Sequence, residues 1–188
     1  MSQVDGRILR SQKSQTLILE SIINLINKGN YYPTADQVAK ESGIAIRTVF
    51  RQFADMESLL MKVDELINIK ILNDEKEINN NLPLISRLKD IIDERIYFYD
   101  KYENIMIATI TQLPKYKILQ KKYPEYQKLL RKRTEKIIPE IKKLKSNSQE
   151  LFDATLSFAF YQRLKLQGMD KININKSINE LCKKILKI

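Results

Sequence analysis

The segment from residue 34 to residue 53 constrains the fold of this chain more than any other, and it reads TADQVAKESGIAIRTVFRQF. Thr34 is followed three residues later by Gln37, a capping-box pattern that predicts the start of a helix. Gly43 can adopt the positive φ that ends a helix in a tight turn, and a second helix is expected to begin within the next three residues. We therefore predict two short helices joined at a glycine.

The second of these helices is predicted to have one inward face. Val49 and Phe53 are four residues apart, so both side chains are expected to face a core. The other side chains are then free to meet a partner, as in a helix-turn-helix that reads DNA. Arginine pairs with guanine, glutamine with adenine, and threonine or alanine contacts a thymine methyl or a backbone oxygen. The candidate DNA-binding residues are Thr34, Ala45, Ile46, Arg47, Thr48, Phe50, Arg51 and Gln52.

The residues on either side of this segment matter, because two helices joined at a glycine also occur in all-α proteins that never contact nucleic acid. Before it, apolar residues repeat at helical spacing between positions 18 and 26, and Gly29 then ends the pattern. After it, Asp55 has the position expected of a cap for a further helix. This context favours a helix-turn-helix within a unit of three helices.

From about Ser14 to Leu60 the chain resembles the TetR family of bacterial transcriptional regulators. Members usually carry a pattern like G-v-s-x-x-t-l-Y-x-h-F-x-s-K-e-x-L. The residues of this chain in matching places are Gly43, Ile44, Thr48, Val49, Phe53, Asp55, Glu57 and Leu59. The resemblance implies a three-helix DNA-binding domain whose third helix lies in the major groove, followed by a long fourth helix.

Some positions depart from the family pattern. Phe50 stands where members often have a tyrosine whose hydroxyl holds a phosphate, and Met56 stands where they often have a lysine. Two phosphate contacts that the resemblance implies are therefore missing, and we expect modest operator affinity. Phosphate anchoring then falls on backbone N–H groups and on Arg47, Thr48, Arg51 and Gln52.

The rest of the chain is predicted to be helical as well. Only 4 glycines and 5 prolines occur in 188 residues, and leucine, isoleucine, lysine and glutamate recur at helical spacing. We predict an all-α protein. With the resemblance, residues 1–55 are expected to form the N-terminal helix-turn-helix DNA-binding domain. Residues 56–188 are expected to form a C-terminal helical bundle for dimerisation and ligand binding.

The C-terminal segment carries an apolar seam. Gly168 is predicted to close a helix, and isoleucine or leucine then recurs at spacings of four, three and four residues. In the family the last two helices pair with those of a second copy, which implies a homodimer; alternatively, the seam packs only within its own chain. The candidate dimer-interface residues are Phe152, Leu156, Ala159, Arg163, Ile174, Ile178, Leu181 and Ile185.

The resemblance also implies a pocket in the second half of the chain for a small-molecule effector of unknown identity. Aromatic and soft side chains suit the lining of such a pocket, although each of them is more often an ordinary core residue. The candidate effector-pocket residues are Tyr99, Tyr102, Met106, Thr109, Phe158 and Tyr161.

The positive charge is unevenly distributed. The chain carries a net charge of +10, yet residues 1–60 contain seven basic and six acidic side chains. Residues 115–145 contain twelve basic and three acidic side chains. Three interpretations of this basic segment remain open: a solvated helix face, which is the usual fate of a charge run, an attraction for an anionic effector or acidic protein, or nucleic-acid binding.

The first residues form a second candidate DNA contact. Arg7, Arg10 and Lys13 precede the first apolar repeat, where N-terminal arms of the family can follow DNA into the minor groove. We therefore predict a DNA arm at these three positions.

Several classes of function find no support in the sequence. The chain has no histidine, its lone cysteine, Cys182, cannot form an internal disulfide, and no glycine-rich phosphate loop is present. We therefore expect no enzyme activity, no cofactor and no metal. No signal segment or apolar run of bilayer length is found, which predicts a cytoplasmic protein without a membrane partner.

Together these patterns predict a sequence-specific transcriptional regulator. The expected form is a repressor, in which a homodimer binds a palindromic operator in double-stranded DNA and a small-molecule effector releases it. The alternative from another class is a helical dimeric factor that uses the same fold for protein interaction or for nonspecific, nucleoid-associated DNA binding.

Overall fold

Helices make up the architecture of the computed structural model, which describes residues 6–75 and 77–188. Within these ranges the chain forms no strand, and no helix there is long and apolar enough to cross a bilayer. The all-α prediction is confirmed. The α-helices of the described ranges are α1 Gly6–Asn27, α2 Ala35–Ser42, α3 Ile46–Gln52, α4 Met56–Asp74, α5 Leu84–Lys101, α6 Glu103–Gln112, α7 Lys117–Ile137, α8 Ser146–Thr155, α9 Phe158–Leu166 and α10 Lys171–Leu186, and a 3-10 helix spans Pro139–Lys143.

The helices form two units, and neither is continuous in sequence. The described part of the first unit runs up to Asn73 and continues in Asn104–Lys122, while the second takes Asp74–Glu103 and Tyr123–Ile188. The predicted boundary between residues 55 and 56 lies inside the first unit. The physical reason is a shared core, because apolar side chains of α1, α4 and α6 surround one cavity of about 20 Å³.

The local signals of the segment from residue 34 to residue 53 act as predicted. Thr34 Oγ1 accepts from Gln37 N–H at 3.3 Å, and Gln37 Oε1 accepts from Thr34 N–H at 2.9 Å, which completes the capping box of α2. Gly43 has a φ of +67° and ends that helix. Val49 and Phe53 are buried, so α3 has the inward face that their spacing indicates.

The start of α4 links two distant parts of the first unit. Ser58 N–H donates to Asp55 Oδ1 at 2.7 Å, which confirms Asp55 as the cap of this helix. The neighbouring Glu57 accepts from Ile118 N–H at 2.8 Å and so satisfies an N–H group at the start of α7. One turn of α4 thus contacts a segment about sixty residues further along the chain.

The core of the second unit lies where α10 packs against α5, α8 and α9. Ile174, Ile178 and Cys182 follow one another at four-residue spacing on α10, and all three are buried. Burial raises the pKa of Cys182 to about 12, so the thiol stays protonated at neutral pH. Cys182 is therefore a small apolar member of this core.

Arginine–carboxylate pairs connect α5 and α7 of the second unit to the segments beside them. Arg87 is buried and donates to both carboxylate oxygens of Glu140, at 2.6 and 3.1 Å, as well as to the Ile137 and Leu82 carbonyls. Arg133 makes the same two-pronged contact with Glu94, at 2.7 and 3.0 Å. Such bidentate pairs are among the stronger charge-assisted hydrogen bonds.

We predict that Gly43→Ala destabilises the protein by about 1 to 2 kcal/mol, because an L side chain is strained at positive φ. No atom lies within 4 Å of the position that a Cβ would take, so crowding adds nothing to this cost. Gly43→Asn should cost less, since asparagine tolerates this backbone region. Urea denaturation followed by circular dichroism measures both, and equal stability of all three proteins would contradict the prediction.

We expect Arg87→Met to lower the free energy of unfolding by roughly 2 kcal/mol at pH 7, because it leaves the Glu140 carboxylate without its donor. The hydrogen bond from Arg87 holds the pKa of Glu140 below its ordinary value of 4.5. This contribution is therefore fully present above that value and is lost as the pH falls through the lower folded-state pKa.

Denaturant titrations at pH 7 and at several acidic pH values test this prediction. The loss caused by Arg87→Met should shrink toward acid. Arg131→Met is the matched control, since Arg131 also pairs with glutamates but is more exposed, and it should cost less than about 1 kcal/mol. A loss that does not change with pH would show that the Glu140 pair is not its cause.

Candidate nucleic-acid interface

The outward face of α3 brings most of the predicted DNA-binding side chains together. Thr48 is half-buried beside the anchoring Val49, and the remaining members of the face point away from the core. The exposed members are Ala45, Ile46, Arg47, Phe50 and Arg51. The helix therefore presents two arginines, a threonine and two apolar side chains on a surface that a partner can reach.

The two arginines of α3 are free of ion pairs within the described ranges of the chain. Arg47 and Arg51 are four residues apart, which places their side chains on the same side of the helix and about 6 Å apart along its axis. Neither donates a hydrogen bond to another side chain there, so both guanidinium groups keep their full donor capacity. Glu41, an acidic residue at the end of α2, is already paired with Lys28 at 2.7 Å.

Gln52 has a different role from the one predicted. Its Nε2 donates to Ser11 Oγ at 3.0 Å, and its Oε1 accepts from Gln15 Nε2 at 3.0 Å. Both ends of the amide are therefore engaged with α1, and a contact with adenine would require these bonds to break. In this structure Gln52 positions α3 against α1. No local sequence pattern indicates this role, because the partners lie about forty residues away.

Thr34 lies at the N-terminus of α2 with its side chain exposed. Its hydroxyl oxygen accepts from the helix N–H group of Gln37, while the hydroxyl proton has no acceptor among the described residues. The side chain can therefore cap α2 and still donate outward. This geometry is compatible with the predicted contact with DNA, and the same residue also stabilises the helix.

The predicted N-terminal arm is not an arm in this structure. Helix α1 begins at Gly6, so Arg7, Arg10 and Lys13 lie within it rather than before it. The residues between Gly6 and Ser14 include good helix formers and no proline, so nothing stops the helix from starting early. All three basic side chains are exposed on the first turns of α1, and any contact with DNA would come from a helix.

Three of the predicted effector-pocket residues fill a core instead of lining an open pocket. Tyr99, Phe158 and Tyr161 are buried, and their ring centroids lie 5.5 to 6.2 Å apart. Tyr99 also donates its hydroxyl to the Leu156 carbonyl at 2.5 Å. The rings occupy the space that a ligand would need, because edge-to-face and tilted aromatic pairs pack closely.

The other three predicted pocket residues are divided between the units. Tyr102 belongs to the second unit and donates its hydroxyl to Asp74 Oδ2 at 3.0 Å. Met106 and Thr109 belong to the first unit, where Thr109 lines the cavity of about 20 Å³. That volume holds about one water molecule and no drug-sized ligand. Neither unit by itself therefore contains all six residues.

The predicted dimer-interface residues also fall into two groups. Phe152, Leu156, Ile174 and Ile178 are buried by their own chain, which leaves their side chains little surface for a second copy. The seam on α10 packs against α5, α8 and α9, which was the alternative interpretation of its spacing. Ile185 is half-buried, and the exposed members are Ala159, Arg163 and Leu181.

Comparisons with known proteins do not identify the chain: no protein-family model matches its sequence, and no curated protein matches it. The resemblance to the TetR family therefore rests on the motif residues between Ser14 and Leu60.

We predict that Gln52→Ala lowers the free energy of unfolding by about 1 kcal/mol, since Ser11 and Gln15 lose their shared partner. Arg51→Ala, one position away, should change it by less than about 0.5 kcal/mol because Arg51 is exposed. Denaturant unfolding of the two variants beside the parent protein measures both. If Arg51→Ala proves the more costly, the role given to Gln52 is incorrect.

Proposed function

We propose that this protein is a sequence-specific DNA-binding regulator of transcription in which α3 enters the major groove. A major groove of about 12 Å width admits one α-helix, and the residues of its outward face then meet the base edges. Arg47 and Arg51 are the proposed readers of bases or phosphates, and Thr48 supports them.

The observation that carries the proposal is the way α3 is held. Its inner side is fixed by the buried Val49 and Phe53 and by the hydrogen bonds of Gln52, while its outer side offers Arg47 and Arg51 unpaired. Guanidinium groups suit bidentate recognition of guanine or phosphate.

The remaining elements of the proposal come from the resemblance to the TetR family. We propose that two copies bind a palindromic operator, with the two third helices about 34 to 36 Å apart in successive major grooves, and that bound protein blocks transcription. The surface proposed for the second copy includes the exposed Ala159, Arg163 and Leu181. Release by an effector stays a prediction, since the aromatic residues expected to bind it are packed together.

A second function is favoured by a specific observation on the same helix. Phe50 is 47% exposed and Ile46 is 38% exposed, which makes the outward face of α3 partly apolar. Exposed aromatic and aliphatic side chains are typical anchors in protein–protein interfaces. The alternative is therefore that α3 binds a protein partner. It differs from the first proposal in its dependence on Phe50 instead of Arg47 and Arg51.

Selection of binding sites from random duplex DNA at physiological salt separates the two proposals. Enrichment of one palindrome with two half-sites supports the sequence-specific regulator. Binding without an enriched motif, or no binding to any duplex, contradicts it and leaves the protein-binding alternative. Phe50→Ala should then abolish the interaction with a captured partner while Arg47→Ala does not.

For the selected palindrome, we predict that Arg47→Ala and Arg51→Ala each weaken binding by about 1 to 3 kcal/mol, because each removes a charged contact in the groove. Fluorescence anisotropy with the palindrome and with a scrambled duplex measures the effect and its specificity. Lys70→Ala is the control, since Lys70 is an exposed basic residue on α4 away from the face of α3. Unchanged palindrome affinity in both arginine variants would refute the role of α3.

A further inference from the structure

Six lysines of the second unit, close together in the sequence, are not explained by the proposed reading helix. We call this group the lysine patch, and its members are Lys128, Lys132, Lys136, Lys142, Lys143 and Lys145. All six are exposed, and none donates a hydrogen bond or forms an ion pair with the residues that the structure describes. Three of them lie on α7, and the other three lie on and just after the 3-10 helix Pro139–Lys143.

The lysines lack partners because arginines take the nearby carboxylates. Arg131 contacts Glu135 at 3.2 Å and Glu150 at 2.7 Å. Arg87 holds both oxygens of Glu140, the carboxylate nearest in sequence to the last three lysines.

An arginine also takes the carboxylates on the side of α7 that contacts α5. Arg133 donates to Glu94 at 2.7 Å and contacts Glu75 at 3.1 Å. Five carboxylates near the patch are thus paired with arginines whose side chains are less exposed than the lysines, and they belong to Glu75, Glu94, Glu135, Glu140 and Glu150. The charge that remains at the surface is almost entirely lysine.

The lysines of α7 form a row. Lys128, Lys132 and Lys136 are separated by four residues each, so they lie on one side of the helix and are spaced about 6 Å apart along its axis. The opposite side of the same turns carries the buried Thr134 and Ile137. The helix is therefore held by one side and presents ammonium groups on the other.

The composition of the patch indicates the kind of ligand it suits. Lysine binds phosphate as a point charge, while sequence reading in the major groove relies mainly on arginine, asparagine and glutamine. The arginines of this region are engaged in ion pairs, so the exposed donors are point charges that suit a phosphate backbone better than the bidentate reading of bases. A membrane surface fits less well, since an interfacial helix needs a continuous exposed apolar face, and beside the exposed Leu129 these turns of α7 carry the half-buried Leu130 and the buried Ile137.

We propose that the lysine patch binds the phosphate backbone of double-stranded DNA without sequence preference. This contact is additional to the proposed reading of an operator by α3 and does not require it. It would hold the protein on DNA of any sequence through release of condensed counterions. Its energy is therefore electrostatic, and its strength falls steeply as salt concentration rises.

The test is the affinity of the full chain for a scrambled duplex as a function of salt concentration. The variant Lys128→Gln, Lys132→Gln, Lys136→Gln removes three charges from the patch. The matched control, Lys176→Gln, Lys184→Gln, Lys187→Gln, removes three charges from exposed positions on and after α10. Thermal unfolding of both variants checks that they are folded.

We expect the patch variant to bind the scrambled duplex at least about tenfold more weakly at low salt. The slope of log affinity against log salt concentration should fall by roughly 2 to 3, since each neutralised phosphate contributes about 0.9. The control variant should keep most of the parent affinity and slope. Equal losses of affinity in both variants would show that total charge, and not the patch, determines binding. No loss of affinity in the patch variant would overturn the proposal.

Two further measurements distinguish this proposal from a membrane role and from the proposed reading of DNA by α3. Binding of the patch variant to vesicles of anionic and neutral lipid tests a membrane role, and a loss confined to vesicles would overturn the DNA assignment. The ratio of palindrome to scrambled affinity tests α3 by itself. The patch variant should lower both affinities and keep the ratio, whereas Arg47→Ala should lower the ratio, so each proposal can fail alone.

Discussion

The candidate interface depends on how a very short helix is held in place. Helix α3 has seven residues, and helices of this length are not stable alone in water because nucleation costs more than a few hydrogen bonds return. Its position therefore comes from burial of Val49 and Phe53 and from the amide of Gln52. Because these contacts fix the inner side, the backbone positions from which the outer side chains project are defined. The proposed DNA contacts of the outer side therefore depend on the contacts that Val49, Phe53 and Gln52 make on the inner side.

Local rules were enough to predict where α2 begins and ends and where α4 begins. The capping box at Thr34, the positive φ of Gly43 and the cap at Asp55 each depend on residues within four positions of one another, so they can be read directly from sequence. The spacing of Val49 and Phe53 likewise identified the buried face of α3. The early start of α1 was missed because the sequence has no signal that delays it, and the partners of Gln52 were missed because they are distant.

Periodicity indicates which face of a helix is apolar but not what covers it. The isoleucines of α10 have a spacing that suits either a second copy or the core of their own unit, and the structure places Ile174 and Ile178 in the core. The aromatic residues Tyr99, Phe158 and Tyr161 illustrate the same limit, since a cavity lining and a packed cluster use the same side chains. Charge counts have a similar limit, because only the fold decides which carboxylates the arginines neutralise.

The division of the first unit along the chain has a consequence for its synthesis. Its core includes residues of α6, and the carboxylate of Glu57 accepts from the N–H group of Ile118. The first unit is therefore incomplete until the ribosome has synthesised residues up to Lys122. During that interval the ribosome also produces about thirty residues that belong to the other unit. Domains usually fold in order as they emerge from the ribosome. Here the apolar side chains of α4 stay exposed while residues 74–103 of the second unit are synthesised. Nascent chains are therefore vulnerable to aggregation or proteolysis at this stage, even if the finished protein is stable.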